Sequence, residues 1–291
     1  MKLKRPNILW YCTDQQRYDT IGALNNPHVL TPKIDQLLRS GTSFTRAYCQ
    51  SPICTPSRAS FLTGCYPNTL RAPRNGNREY ANQYPLITKL LRDTGYHCGL
   101  VGKLHLASAF EREEPRVDDG YGFFKWSHAP RDDWDSGHDY ADWVRTRGAD
   151  LGELIKSLDG VPAELHQTSW ATERAMEFIR SQSRDVPWML SVNVYDPHPP
   201  FNPPKAYRDL FDPKSMPDPL FRESDLEQQR KFSQIDFQSR PAHPEKLDIC
   251  DPILPRTPAD GSMRGDVPSV GERDAWTLKA AYYAMIKLID D

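Results

Sequence analysis

Ser51-Pro52-Ile53-Cys54-Thr55-Pro56-Ser57-Arg58-Ala59-Ser60-Phe61-Leu62-Thr63-Gly64 reads as a short loop that opens a helix. The run from Ser57 to Thr63 favours helix, and Gly64 stands where a left-handed residue would end it. Cys54 and Arg58 therefore fall near the helix N-terminus, where N–H groups and the positive dipole end favour an anion. A nucleophile at Cys54 and a guanidinium at Arg58 are what an oxyanion ester would need. Taken alone, however, a Cys-x3-Arg pair is ordinarily a buried structural cysteine and a surface arginine.

Working outward, Asn7-Ile8-Leu9-Trp10-Tyr11-Cys12 is a continuous apolar run of strand length, followed by polar Thr13-Asp14-Gln15-Gln16. Such a run predicts a strand buried on both faces of a parallel sheet. Thr31-Pro32 opens a helix that Gly41 closes. Ser43 to Cys49 reads as a second short strand. Pro85 to Thr94 is a helix stopped by Gly95, and Tyr96 to Gly102 is the next strand, ending in Gly102-Lys103-Leu104-His105. Ser169 to Ser183 is helical, and Trp188 to Val194 is a buried strand that runs into Asp196-Pro197-His198-Pro199-Pro200-Phe201. Asp274 to Asp291 is a last helix.

Residues 107–166 and 197–268 read as loops over one end of the sheet; 14 of the 26 prolines lie in the second of them. That density argues for an ordered covering segment with little regular structure. Alternating strands and helices imply an α/β fold with a mainly parallel central sheet flanked by helices, in one domain over residues 1–291. Ligands of such sheets bind beyond the carboxyl ends of the strands. Three strands here end in polar sets, Asp14-Gln15, Lys103/His105 and Asp196/His198, and the helix that carries Cys54 would open towards the same edge.

Composition narrows the function. A net charge of −2 over 291 residues gives no case for nucleic acid or an anionic membrane. No apolar run approaches the ~20 residues that span a bilayer. The basic start Met1–Pro6 precedes too short an apolar stretch for a signal peptide, so the expected location is cytoplasmic. Six scattered cysteines are expected as reduced, mostly buried thiols.

Cys54-Thr55-Pro56-Ser57-Arg58 followed by Leu62-Thr63-Gly64 resembles the signature of the type I sulfatases, in the alkaline phosphatase superfamily. Thiol phosphatases, by contrast, place five residues between Cys and Arg. The resemblance implies that Cys54 is oxidised to formylglycine by a formylglycine-generating enzyme, which reads Pro56 and Arg58. Its hydrate, held by Arg58, would attack the sulfur of a sulfate ester of a small molecule or carbohydrate. Asp14 would ligate a hard divalent cation, calcium or else magnesium, with Gln15 and the modified Cys54 as further ligands. Gln15 departs from the family, where two adjacent acids are common. Gly-Lys-x-His resembles the family's sulfate-binding segment, giving Lys103 to the sulfuryl oxygens and His105 to the formylglycine. Asp196–Phe201 resembles the His-x-Pro-Phe segment, making His198 a sulfate ligand and an acid for the leaving oxygen. Arg71, Arg74, Asn75 and Asn77 follow the nucleophile helix and are candidates to reach an anionic substrate, Arg74 foremost.

The resemblance is close over residues 6 to about 105 and good over 186–201. In the family the remaining metal ligands come later in the chain, so residues 1–291 are expected to be the N-terminal part of a larger catalytic domain. That part alone is expected to bind metal poorly and turn over little. Two alternatives accompany the sulfatase: a phosphonate or phosphodiester hydrolase of the same superfamily, and a catalytically inactive binding module.

Overall fold

The computed structural model describes residues 5–72, 74–75, 80, 84–107, 114–130, 138–157, 159–233, 241–247 and 274–291. In chain order the elements are β1 (Ile8–Cys12), α1 (Pro32–Ser40), α2 (Cys54–Thr63), α3 (Pro67–Leu70), α4 (Ile87–Asp93), β2 (His97–Gly102) and β3 (Phe123–Trp126). They continue with α5 (Asp139–Thr146), α6 (Leu151–Leu154), α7 (Gln167–Ser181), β4 (Trp188–Asn193), α8 (Lys205–Arg208), α9 (Glu223–Phe232) and α10 (Ala275–Asp290). These group into two compact units. One holds Met1–Gln15, Phe44–Gly152 and Glu164–Tyr195; the other holds Gln16–Ser43, Glu153–Ala163 and Asp196–Asp291.

The first unit is built on a parallel four-stranded sheet in the order β1-β4-β2-β3. Parallel pairing needs crossovers, and helices supply them on both faces. Along β2, Cys98 and Leu100 join a core with Ala59 and Leu62 of α2, Leu86 before α4, and Met189 of β4. The alternate residue Gly99 faces α7 so closely that a Cβ there would sit 2.7 Å from the Phe178 ring. On that face Trp170, Ala171 and Phe178 of α7 are buried, and Phe178 packs against Phe123 and Trp188. Each fully buried Leu or Phe of this size contributes about 1.5–3 kcal/mol of transfer free energy.

In the second unit, α10 packs with α1 and α8, and Val29, Phe211, Met216, Tyr283, Ala284 and Ile286 form its core. The buried carboxylate of Asp290 accepts from the backbone N–H groups of Lys33 (2.9 Å) and Ile34 (2.8 Å), satisfying two orphan donors of α1. Thr31 occupies the N-cap position of α1, but its hydroxyl serves the neighbouring turn, accepting from Gly22 N–H and donating to Asp35. No helix among the described residues is long and apolar enough to cross a membrane.

The α/β architecture expected from the alternating pattern is present, with four departures. Ser43 to Cys49 forms no strand: Phe44 and Tyr48 are 78% and 81% exposed, and an extended preference without a ladder partner makes no β-structure. Strand β1 lies at the edge of the sheet, and Leu9, Trp10 and Tyr11 are exposed where burial on both faces was expected. Residues 107–166 hold β3 and α5, and 197–268 hold α8 and α9, where loops were predicted. Where mostly buried thiols were expected, only Cys98 of the described cysteines is buried, Cys49 is exposed, and all of them are free.

Candidate active site

Four stretches at the carboxyl edge of the first unit's sheet come together. Cys54 is the first residue of α2, which starts three residues earlier than the helical run suggested, after the extended N-cap Ile53. The N–H of Thr55 donates to Asn75 Oδ1 at 2.9 Å, so a side chain from beyond α3 ties down the helix tip. Pro56 in the first turn forfeits only an N–H that has no intrahelical partner there. Gly64, at φ 70°, ends the helix as its sequence position predicted.

Arg58 lies one turn after Cys54 and is 3% exposed. Its Nη1 donates to the Lys103 carbonyl at 2.8 Å, and its Nη2 stands 3.6 Å from Asp14 Oδ2. Asp14 is reached from the end of β1, Lys103 from the end of β2. Lys103 is 2% exposed and donates from Nζ to Asp14 Oδ2 at 2.6 Å. The same Nζ is 3.7 Å from Cys54 Sγ and lies over the Tyr195 ring, 5.2 Å from its centroid. Cys54 Sγ is in turn 3.6 Å from Asp14 Oδ1.

Gly102 explains how Lys103 arrives there. Its φ of 102° is left-handed, and a Cβ would sit 2.0 Å from the Asn193 carbonyl oxygen of β4. Only glycine lets the chain turn so close to its neighbour. Lys103 N–H then donates to Asn193 O at 3.0 Å, and Asn193 Nδ2 returns a hydrogen bond to Lys103 O at 2.9 Å.

One carboxylate and two cations are thus buried around a thiol at a helix N-terminus. Buried charges persist only when paired, and here a single anion serves two cations. The surplus positive charge suits an anionic group placed beside Sγ.

His105 follows in a left-handed backbone conformation, φ 55°, and is 8% exposed. Its ring meets that of His128 edge-on, with centroids 4.4 Å apart. The Glu114 carboxylate accepts from Leu106 N–H at 2.8 Å and Trp126 Nε1–H at 3.1 Å, and lies 3.5 Å from His128 Nδ1. Burial pushes the His128 pKa below the ordinary histidine value, opposed in part by Glu114. Beside this group, the deeply buried His138 accepts or shares a hydrogen bond with Ser127 Oγ at 3.1 Å, and burial lowers its pKa to about 3. Gln167 Nε2 donates to the same Oγ at 2.7 Å.

Of the residues singled out from the sequence, Asp14, Cys54, Arg58 and Lys103 are in mutual contact. Gln15, at φ 63°, and Arg74 are exposed. Asn77 lies outside the described residues. His198 belongs to the second unit, on a loop where the Asp196–Pro197 and Pro199–Pro200 peptide bonds are cis. Its Nδ1 is 2.6 Å from the Pro199 carbonyl, which can only accept, so Nδ1 carries the proton. Glu114, His128 and Asn193 were not assigned to the site from the sequence, and Asn75, a candidate to reach the substrate, instead accepts from the N–H of Thr55 at the tip of α2. His128 follows β3 by two residues, so the strand-end rule would have found it had that strand been recognised.

For a hard cation, the Asp14 carboxylate and the Gln15 amide oxygen are ligands of the right kind. Asp14, however, is engaged by Lys103, and with Cys54 these are fewer than the six to eight oxygens that calcium usually takes.

The sulfatase family model matches residues 6–252. An arylsulfatase of Clostridium perfringens is 28% identical over 233 residues, covering 74% of this chain and 48% of that protein. The multifunctional alkaline phosphatase superfamily protein PehA of Trinickia caryophylli is 26% identical over 320 residues, covering 99% of the chain and 58% of its own length. Among solved structures, the phosphonate monoester hydrolase of Silicibacter pomeroyi superposes with a TM-score of 0.73 at 24% identity, over 98% of this chain and 57% of that one. The chain spans about half the length of the curated relatives it matches.

Proposed function

The chain belongs to the sulfatase family, and on that premise we propose that it hydrolyses a sulfate ester, with Cys54 as the precursor of the nucleophile. The observation that carries this is the buried set of Asp14, Arg58 and Lys103 around the Cys54 thiol at the tip of α2. Formylglycine made there by a generating enzyme supplies a hydrated-aldehyde hydroxyl as nucleophile.

Lys103 pairs with sulfuryl oxygens as their charge grows, and its place is fixed beforehand by Asp14 and by the backbone bonds to Asn193. Arg58 joins α2 to the Lys103 segment through the 2.8 Å bond, holding nucleophile and sulfate ligand in one register. His105 takes a proton when sulfate is released. His198, assigned by its motif, gives a proton to the leaving alcohol: with Nδ1–H on Pro199 O, proton exchange falls to Nε2. Arg74, exposed, meets further anionic groups of the substrate, a small-molecule or carbohydrate sulfate ester. Calcium, or magnesium, would be held by Asp14, Gln15 and the modified Cys54 with donors from elsewhere, and would add Lewis-acid charge at the sulfuryl group.

Phosphonate or phosphodiester hydrolysis is the alternative. It is favoured by the fold shared with a phosphonate monoester hydrolase over 98% of this chain and by the alignment of 99% of the chain with PehA, a multifunctional member of the superfamily. Parallel measurement of kcat/KM on an aryl sulfate and an aryl phosphonate ester separates the two. The sulfate should be preferred, and Lys103→Ala should lower its turnover by about 10²–10³. A preference for the phosphonate ester would move the assignment to the alternative.

A further inference from the structure

We propose that Glu114 is a positioning residue for His105. This rests on the proposed role of His105 and adds a group that no motif marks.

His105 sits in backbone geometry that side chains other than glycine seldom adopt (φ 55°), and such strain persists only where the surroundings over-determine it. Glu114 supplies such a restraint. Its side chain is 2% exposed, and one carboxylate oxygen accepts from the N–H of Leu106, the residue that directly follows the left-handed turn. The other oxygen accepts from Trp126 Nε1 and faces His128 Nδ1 at 3.5 Å. The His128 ring, so held, is the wall that His105 packs against edge-on at 4.4 Å. One buried carboxylate therefore fixes both the backbone that carries the His105 imidazole and the surface that sets its orientation. Trp126 and His128 lie at the end of β3, so the restraint also joins the β2 and β3 strand ends. A carboxylate with two hydrogen-bond donors and an imidazole around it is satisfied in place, and has no other evident task.

The test compares Glu114→Ala, His105→Ala and the double variant in the active protein, with an aryl sulfate as substrate. Glu114→Ala should lower kcat about 10–100-fold, in the range for losing a residue that orients a reacting group, with KM changed less than about threefold. In the His105→Ala background it should cost nothing further, because it acts through His105. Long-range ¹H–¹⁵N NMR of the histidine rings should show the His105 signals shifted in Glu114→Ala. Glu114→Gln, which keeps the volume and an acceptor for Leu106 N–H, serves if the alanine variant does not fold. Its smaller kcat loss should likewise vanish in the His105→Ala background. Losses that multiply in the double variant, or unchanged kcat and ring signals in Glu114→Ala or Glu114→Gln beside an impaired His105→Ala, would overturn the inference alone. Full turnover by His105→Ala would instead bring down the role of His105, and this inference with it.

Discussion

Leu9 of β1 and Leu190 of β4 stand opposite each other in one parallel ladder, yet Leu190 is fully buried while Leu9 is 54% exposed. The inversion extends along the two regions. Edge strand β1 shows water three consecutive large apolar side chains, whereas the ends of the interior strands bury Lys103, Asn193 and, from α2, Arg58. Burial here follows position in the sheet more closely than side-chain polarity. A buried lysine and arginine are costly unless each is paired; both are paired with Asp14, and Arg58 also donates to the Lys103 carbonyl. The interior region is held by mutual polar restraint; the edge strand has a single ladder among the described residues and packs Ile8 on the core and Trp10 on Phe61 of α2.

The contrast breaks most readily at Asp14. Asp14→Ala leaves the Lys103 and Arg58 charges buried without their shared carboxylate, and should destabilise by about 3–5 kcal/mol in denaturant unfolding. A loss below 1 kcal/mol would mean that water reaches the cluster. Leu190→Ala follows, at about 2–5 kcal/mol for a fully packed leucine.

The next effect is a pH dependence. Burial holds the His138 pKa near 3 when folded, against about 6.5 when unfolded. As pH falls below about 6.5, the unfolded chain gains a proton that the folded one refuses. Stability from this residue is therefore complete above that pH and is lost between 6.5 and 3, with a slope approaching ~1.4 kcal/mol per pH unit. Unfolding free energies of His138→Gln, which can still meet Ser127, should show a correspondingly shallower slope than the parent over that range. The smallest effect belongs to the edge. Leu9→Thr should change stability by no more than about 0.5 kcal/mol in the same assay, since the position is half solvated and threonine suits a strand. A cost equal to that of Leu190→Ala would erase the distinction between the two regions.

The same distinction separates what the sequence revealed from what it did not. Apolar run length marked β1, β2 and β4, and glycine and proline punctuation marked α1, α2 and α4 to within a few residues, because these signals are local. Whether Leu9 is buried depends on which strand lies beside it, and no local pattern encodes that. Phe123–Trp126 is a strand only because it ladders with Gly99–Gly102; its short aromatic run between glycines and charges looks like loop. The cluster at Cys54 was legible because each member sits beside a recognisable strand or helix end. Glu114 and His128 were not, because their value comes from meeting His105 across sequence gaps. Asp290 as a cap for α1 is of the same kind, a helix terminus completed from more than 250 positions away.

Everything proposed for the site depends on the thiol at the tip of α2 being the precursor of a nucleophile. The direct measurement is the mass of the peptide containing Cys54, taken from protein produced together with a formylglycine-generating enzyme. The expected result is a substantial fraction carrying the aldehyde in place of the thiol, and loss of that fraction in Arg58→Ala. Only unmodified thiol at Cys54, under conditions that convert an established sulfatase, would contradict it.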